Sequence, residues 1–141
     1  MPSESFDEAL ERQRAALVEF MRGDTGPYKD LYSRRPDATL ANPFGGVAVG
    51  WEEIPNRLDR AAAYYEAGEV VAFEMIASDH SADFGYAIEI ERLRARVGHR
   101  DAFDEVALRT TTVYRREEAG WRLVHRHADP AVELRGPEAV L

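Results

Sequence analysis

The chain has no cysteine. Disulfides, thiolate metal sites and cysteine nucleophiles are therefore excluded. Lysine is nearly missing too. Lys29 is the only one, so arginine carries the positive charge and Schiff-base chemistry has a single candidate amine. Basic charge is in deficit, with 18 Lys and Arg against 26 Asp and Glu and a net charge of −8. That balance argues against nucleic acid and anionic membranes as partners, because phosphate contacts need a basic face. No apolar run approaches the roughly 20 residues of a membrane span. Repeats, low-complexity stretches, a glycine-rich phosphate loop and a serine nucleophile elbow are also missing. The start, Met1-Pro2-Ser3-Glu4-Ser5, is polar rather than basic and then apolar, so a soluble cytoplasmic protein is expected.

What is present suffices for one core. The 141 residues are 45% hydrophobic, and a single domain over 1–141 is expected. Ser5 with Glu8 three residues on reads as a capping box. The helix after it would bury Phe6, Leu10, Leu17, Phe20 and Met21 and stop at Gly23. Pro27 opens a short second helix with Tyr28, Leu31 and Tyr32 on its apolar side. Ala38 to Asn42 reads as a short strand ended by Pro43, and Gly45-Gly46 turns the chain into a second short strand at Val47 to Val49. A third helix is expected from Trp51 through Tyr65, with Gly68 as its stop.

The rest reads as strand: Glu69 to Ser78, Ala82 to Val97, Val106 to Arg116 and Trp121 to Val132. Short turns between them predict an antiparallel meander. Helices first and strands after predict an α+β fold, a curved antiparallel sheet wrapped around N-terminal helices. Arg135 to Leu141 is expected to fray or to pack against a partner.

Alternation on the last strand puts Trp121, Leu123, His125, His127 and Asp129 on one side. An apolar start that ends in two imidazoles and a carboxylate suits the wall of a small-molecule pocket. The His125-x-His127-x-Asp129 spacing also suits a metal, but nothing else supplies a clear third ligand, so no metal is expected. Arg109, Thr111 and Val113 share one face of their strand, and Leu108, Thr110, Thr112 and Tyr114 share the other. Glu89 and Glu91 share a face opposite Phe84, Tyr86, Ile88 and Ile90. The apolar set is expected to pack and the glutamates to meet solvent or an interface. If a bulge shifts the register, Glu91 becomes the partner of Arg109. Phe44, Trp51, Tyr64, Tyr65 and Tyr86 either line a mouth for an apolar ligand or pack as core. His80 and His99 fall in turns and should be solvent-exposed.

Three strings carry a resemblance: Gly23-Asp24; Asp37-Ala38-Thr39-Leu40-Ala41-Asn42-Pro43-Phe44-Gly45-Gly46; and Arg109-Thr110-Thr111-Thr112-Val113-Tyr114-Arg115-Arg116, followed after a turn by Trp121-Arg122-Leu123-Val124-His125-Arg126-His127. The chain resembles the nuclear transport factor 2-like superfamily, in its SnoaL-like branch. The resemblance implies a cystatin-like cone with an internal pocket. It implies that Arg109 and His127 point into that pocket, where Arg109 would hold an oxyanion, His127 would move a proton and Asp129 would orient His127. Phe44 and Trp51 would stand at the opening, with Asn42, Tyr65 and Glu91 completing the ligand-binding set. No cofactor is implied.

One departure stands out. Asn42 occupies the place where ketosteroid isomerase relatives keep an aspartate base, and an amide cannot accept a proton at neutral pH. The tyrosine of those relatives falls near Ala16. The relatives that open limonene epoxide would need an Asp-Arg-Asp relay, for which Arg109 is the candidate centre. Since this superfamily hosts many activities, two functions follow. One is a small-molecule-binding protein, with proton-transfer chemistry on a mainly apolar ligand bearing an anionic or enolisable oxygen. The other is a non-catalytic association module with a filled pocket. A homodimer is expected under either, because a single curved sheet leaves one face half-covered.

Overall fold

The computed structural model describes residues 3–141; the polar start at Met1 and Pro2 lies outside them. Ser5 Oγ accepts a hydrogen bond from the Glu8 amide at 3.1 Å, which caps helix α1, Phe6–Met21. One stripe of α1 is buried, from Phe6 through Leu10, Gln13 and Leu17 to Met21. Gly23 adopts φ +96°, and its amide donates to the Phe20 carbonyl, which ends the helix as expected. Helix α2, Gly26–Leu31, begins with Pro27 in its first turn and buries Tyr28 and Leu31.

The remaining elements are β1 (Thr39–Ala41), β2 (Ala48–Val49), α3 (Ile54–Ala62), β3 (Tyr65–His80), β4 (Phe84–Val97), β5 (Asp104–Glu117), β6 (Gly120–Asp129) and a 3-10 turn at Pro137–Val140. The six strands form one sheet in the order β2-β1-β6-β5-β4-β3. β3 to β6 are the expected meander, whereas β1 joins β6 in parallel. Three register shifts bend β3 along its length. The helices pack on one face of this α+β sheet, and the fully buried Tyr28, Tyr32, Tyr114 and Trp121 fill the space between the layers. The tail from Arg135 to Leu141 is exposed. Among the described residues no helix is long and apolar enough to cross a membrane.

Two glycines explain where the structure departs from expectation. The third helix ends at Ala62, and Tyr65 already belongs to β3. Gly68, read as a helix stop, lies inside that strand. A Cβ there would sit 2.5 Å from the Met21 carbonyl oxygen, so the glycine lets the end of α1 press onto the sheet. On β4, Gly85 lies under the Phe6 ring with no room for a Cβ. That contact sets the strand's parity. Gly85, Ala87, Glu89, Glu91, Leu93 and Ala95 face the helices, while Phe84 and Tyr86 are exposed and Ile88 and Ile90 half-buried on the other side. The expected packing face is thus the outer one, and both glutamates are interior.

Candidate functional site in the cone

Between the helices and the sheet lies a small cavity of about 30 Å³, open on one side. Its wall is mostly apolar, with Leu17, Phe20 and Met21 from α1, Leu58 and Ala61 from α3, and Leu93 and Leu108 from the sheet. Four residues bring polar atoms to it: Tyr28, Asn42, Tyr65 and Arg126.

Arg126 reaches the interior because β6 is bulged. Val113 pairs with His125 and Tyr114 pairs with Leu123, so Val124 is an extra residue with no opposite number. Before the bulge Trp121 and Leu123 face inward; after it the inward residues are Arg126 and Ala128. The slip that the alternation could not reveal therefore exchanges the two faces. His127 and Asp129, expected in the pocket, lie on the outer side of the sheet. Arg109 lies there too, because Leu108, Thr110 and Thr112 take the inward positions of β5. Arg109 Nε and Nη2 donate to the two carboxylate oxygens of Asp129 at 3.0 and 2.8 Å. His127 Nε2 is 3.7 Å from Asp129 Oδ2. His125 Nδ1 lies 2.8 Å from Thr39 Oγ1. The trio expected to do acid–base work is an outer-face cluster away from the cavity, and Arg109 cannot centre a relay inside it.

The interior ion pair is a different one. Arg126 Nη1 and Nη2 donate to Glu91 Oε2 and Oε1 at 2.8 and 2.7 Å, with both groups buried. Burial alone would lower the Arg126 pKa, but attraction to Glu91, the nearby Tyr28 and the hydrogen bonds to Glu91 hold it well above the ordinary arginine value. Burial raises the pKa of Tyr28 and of Tyr65. Gln13 Nε2 donates to Tyr28 Oη at 3.0 Å, fixing the ring. Glu89 pairs with Arg14 at 3.1 Å, yet burial outweighs that partner and raises its pKa.

Of the other expected ligand-binding residues, Asn42, Phe44 and Tyr65 do line the cavity. Glu91 stands behind Arg126 as its counter-ion. Trp51 is half-buried elsewhere, with the Arg34 guanidinium 3.4 Å from its ring centroid. Asn42 Oδ1 accepts from the Phe44 amide at 3.1 Å, which shapes the turn after β1. Its buried Nδ2 has no hydrogen-bond partner. Phe44 stacks obliquely on Tyr64 and Tyr65, with centroids 4.7 and 5.8 Å apart, and closes part of the mouth. Arg126 is the interior residue that reading the sequence missed. Its only trace there is the adjacent apolar pair Leu123-Val124, which breaks strict alternation. Among the described residues, no group of three or more His, Asp or Glu is arranged to hold a metal ion.

The chain has clear structural likenesses. A nuclear transport factor 2-like superfamily protein from Salmonella enterica superposes with a TM-score of 0.74 at 18% identity, covering 93% of this chain and 92% of that one. A proposed calcium/calmodulin-dependent protein kinase type II association domain from Thiobacillus denitrificans gives 0.72 at 23% identity, over 92% and 98%. A protein of unknown function with a cystatin-like fold from Nostoc punctiforme gives 0.71 at 14% identity, over 95% and 98%. At these identities the likeness establishes the fold. Among curated proteins no relative matches the sequence. The profile of the SnoaL-like domain matches residues 13–133, and the chain belongs to that family.

Proposed function

We propose that the protein binds a compact, mainly apolar small molecule inside the cone. The observation that carries this reading is the small open cavity of about 30 Å³ with apolar walls, beside which the buried Asn42 Nδ2 is left unpartnered. An N–H with no partner in a closed wall is costly, and a ligand oxygen would satisfy it. The wall offers little for proton transfer. Asn42 is a neutral amide, Tyr28 and Tyr65 hold their protons tightly, and both oxygens of Glu91 are engaged by Arg126. Binding is therefore the better-supported role.

The test is a titration of isotope-labelled protein with apolar fragments, followed by amide chemical shifts. Perturbations should cluster around Tyr28, Asn42, Leu93 and Leu108. Perturbations confined to the outer face around His127 would overturn the reading.

A second reading, compatible with the first, is self-association through the outer sheet face. Phe84 and Tyr86 are 54% and 40% exposed there, beside the half-buried Ile88, Ile90 and Val113. Sedimentation should show a dimer that Tyr86→Glu dissociates; a wild-type monomer at high concentration would end this reading.

A further inference from the structure

The cavity continues at its mouth into a polar crevice of about 90 Å³, which shares Asn42, Phe44 and Ala61 with it. Two guanidinium groups line this crevice, Arg57 and Arg60, three residues apart on α3. Both are positioned. Arg57 Nη1 donates to the Gly45 carbonyl at 3.1 Å, over Gly46, which has no side chain to obstruct it. Arg60 Nε donates to Tyr64 Oη at 3.2 Å, which leaves its two terminal nitrogens free.

Neither arginine forms a salt bridge among the described residues. Asp59 on the same helix is taken by Lys29 Nζ at 2.8 Å and Thr25 Oγ1 at 2.7 Å. Glu53 accepts from the Val49 amide at 2.9 Å. In a chain of net charge −8, where Arg12, Arg14, Arg115 and Arg126 all meet carboxylates, two uncompensated arginines at the mouth of an apolar cavity form a local positive site.

The interior arginine cannot play that part. An anion at Arg126 would have to displace Glu91 and leave a second negative charge buried, or lie against the Glu91 carboxylate. We infer that the ligand is an amphiphile: an apolar body enters the cone, and a carboxylate or similar anion stays at the mouth on Arg57 and Arg60. This rests on the binding role proposed above and adds the charge of the ligand and its orientation.

Two fluorescent probes of matched shape separate the two ideas. Anilinonaphthalene sulfonate carries a permanent anion on an aromatic body, and anilinonaphthalene lacks it. The sulfonate should bind wild-type protein about fivefold more tightly, a modest factor because the two arginines are partly solvated. The preference should shrink as salt is raised. The double variant Arg57→Gln, Arg60→Gln should lose the preference and keep its affinity for the neutral probe, which also reports that the cone is intact. Ala61→Trp, which fills the shared boundary of cavity and crevice, should block both probes. Equal binding of the two probes, or a preference that survives the double variant, overturns the assignment of the mouth and leaves the cone as a binding site. Failure of both probes to bind, or binding that Ala61→Trp leaves untouched, overturns the cone reading and the mouth with it.

Discussion

Two arginine–carboxylate pairs stand on opposite faces of the same sheet. Arg126–Glu91 lies inside the cone with its side chains 8% and 2% exposed, and Arg109–Asp129 lies outside with 57% and 28%. Both are bidentate, at nearly the same distances. Their chemistry is alike and their consequences are not. The outer pair is bathed in solvent that screens it and competes for its donors, so it holds little together. The inner pair has no solvent to fall back on, and each member depends on the other to remain charged in an apolar setting. It also occupies the one cation among the cavity's described lining residues, which leaves the interior neutral.

Breaking the pairs one at a time gives the largest expected contrast. Glu91→Ala should destabilise the fold by about 3–5 kcal/mol, because Arg126 is left buried and unpaired, whereas Asp129→Ala should unfold in urea as wild type does. Equal effects would mean that Glu91 and Asp129 share one environment. Gly85→Ala tests the parity that puts Glu91 inside. The added methyl would collide with the Phe6 ring and should cost about 1–3 kcal/mol in thermal or urea melts. A neutral result would place Gly85 on the outer face.

The smallest effect is the pH response of the outer face. Burial lowers the pKa of His125, and His127 beside it lowers it further. A base with a depressed folded pKa binds its proton more readily when unfolded. Its contribution is therefore present above the unfolded value of about 6.5 and is lost as pH falls through the folded one. His125→Gln should flatten the stability profile between neutral and mildly acidic pH by a few tenths of a kcal/mol. An unchanged slope would assign that pH dependence elsewhere.

Much of the fold was legible because local chemistry decides it. The cap at Ser5, the stripe of α1, the stop at Gly23 and the short turns between the meander strands are local decisions, and the resemblance supplied the cone. The faces were not legible. Phe84, Tyr86, Ile88 and Ile90 form the more apolar set of β4, so hydrophobicity alone points them inward. The opposite arrangement holds because Phe6, far away in sequence, needs the space above Gly85 and because Arg14 and Arg126 supply partners for two interior glutamates. Gly68 misled for a similar reason, since it answers to Met21 across the core. At the site, Asn42 and Phe44 came from the resemblance around Pro43 and Tyr65 from the aromatic residues of the expected third helix, and all three line the cavity. Arg109, His127 and Asp129 were misplaced because alternation was carried unbroken through a strand that contains a bulge.

That extra residue at Val124 turns the length of a strand into a choice of chemistry. The tripeptide His125-Arg126-His127 can present either an arginine or two histidines to the interior, and the bulge before it selects which. Straightening β6 at its present length, so that alternation ran unbroken from Trp121, would replace a guanidinium salt-bridged to Glu91 with a pair of imidazoles facing the same carboxylate, whereas deleting Val124 would remove the bulge and keep Arg126 inward. In such a cone, the gain or loss of a bulge alters the character of the interior as thoroughly as substitutions within it. Two chains that match at every residue of this strand but differ in whether it bulges would present different groups to the same interior.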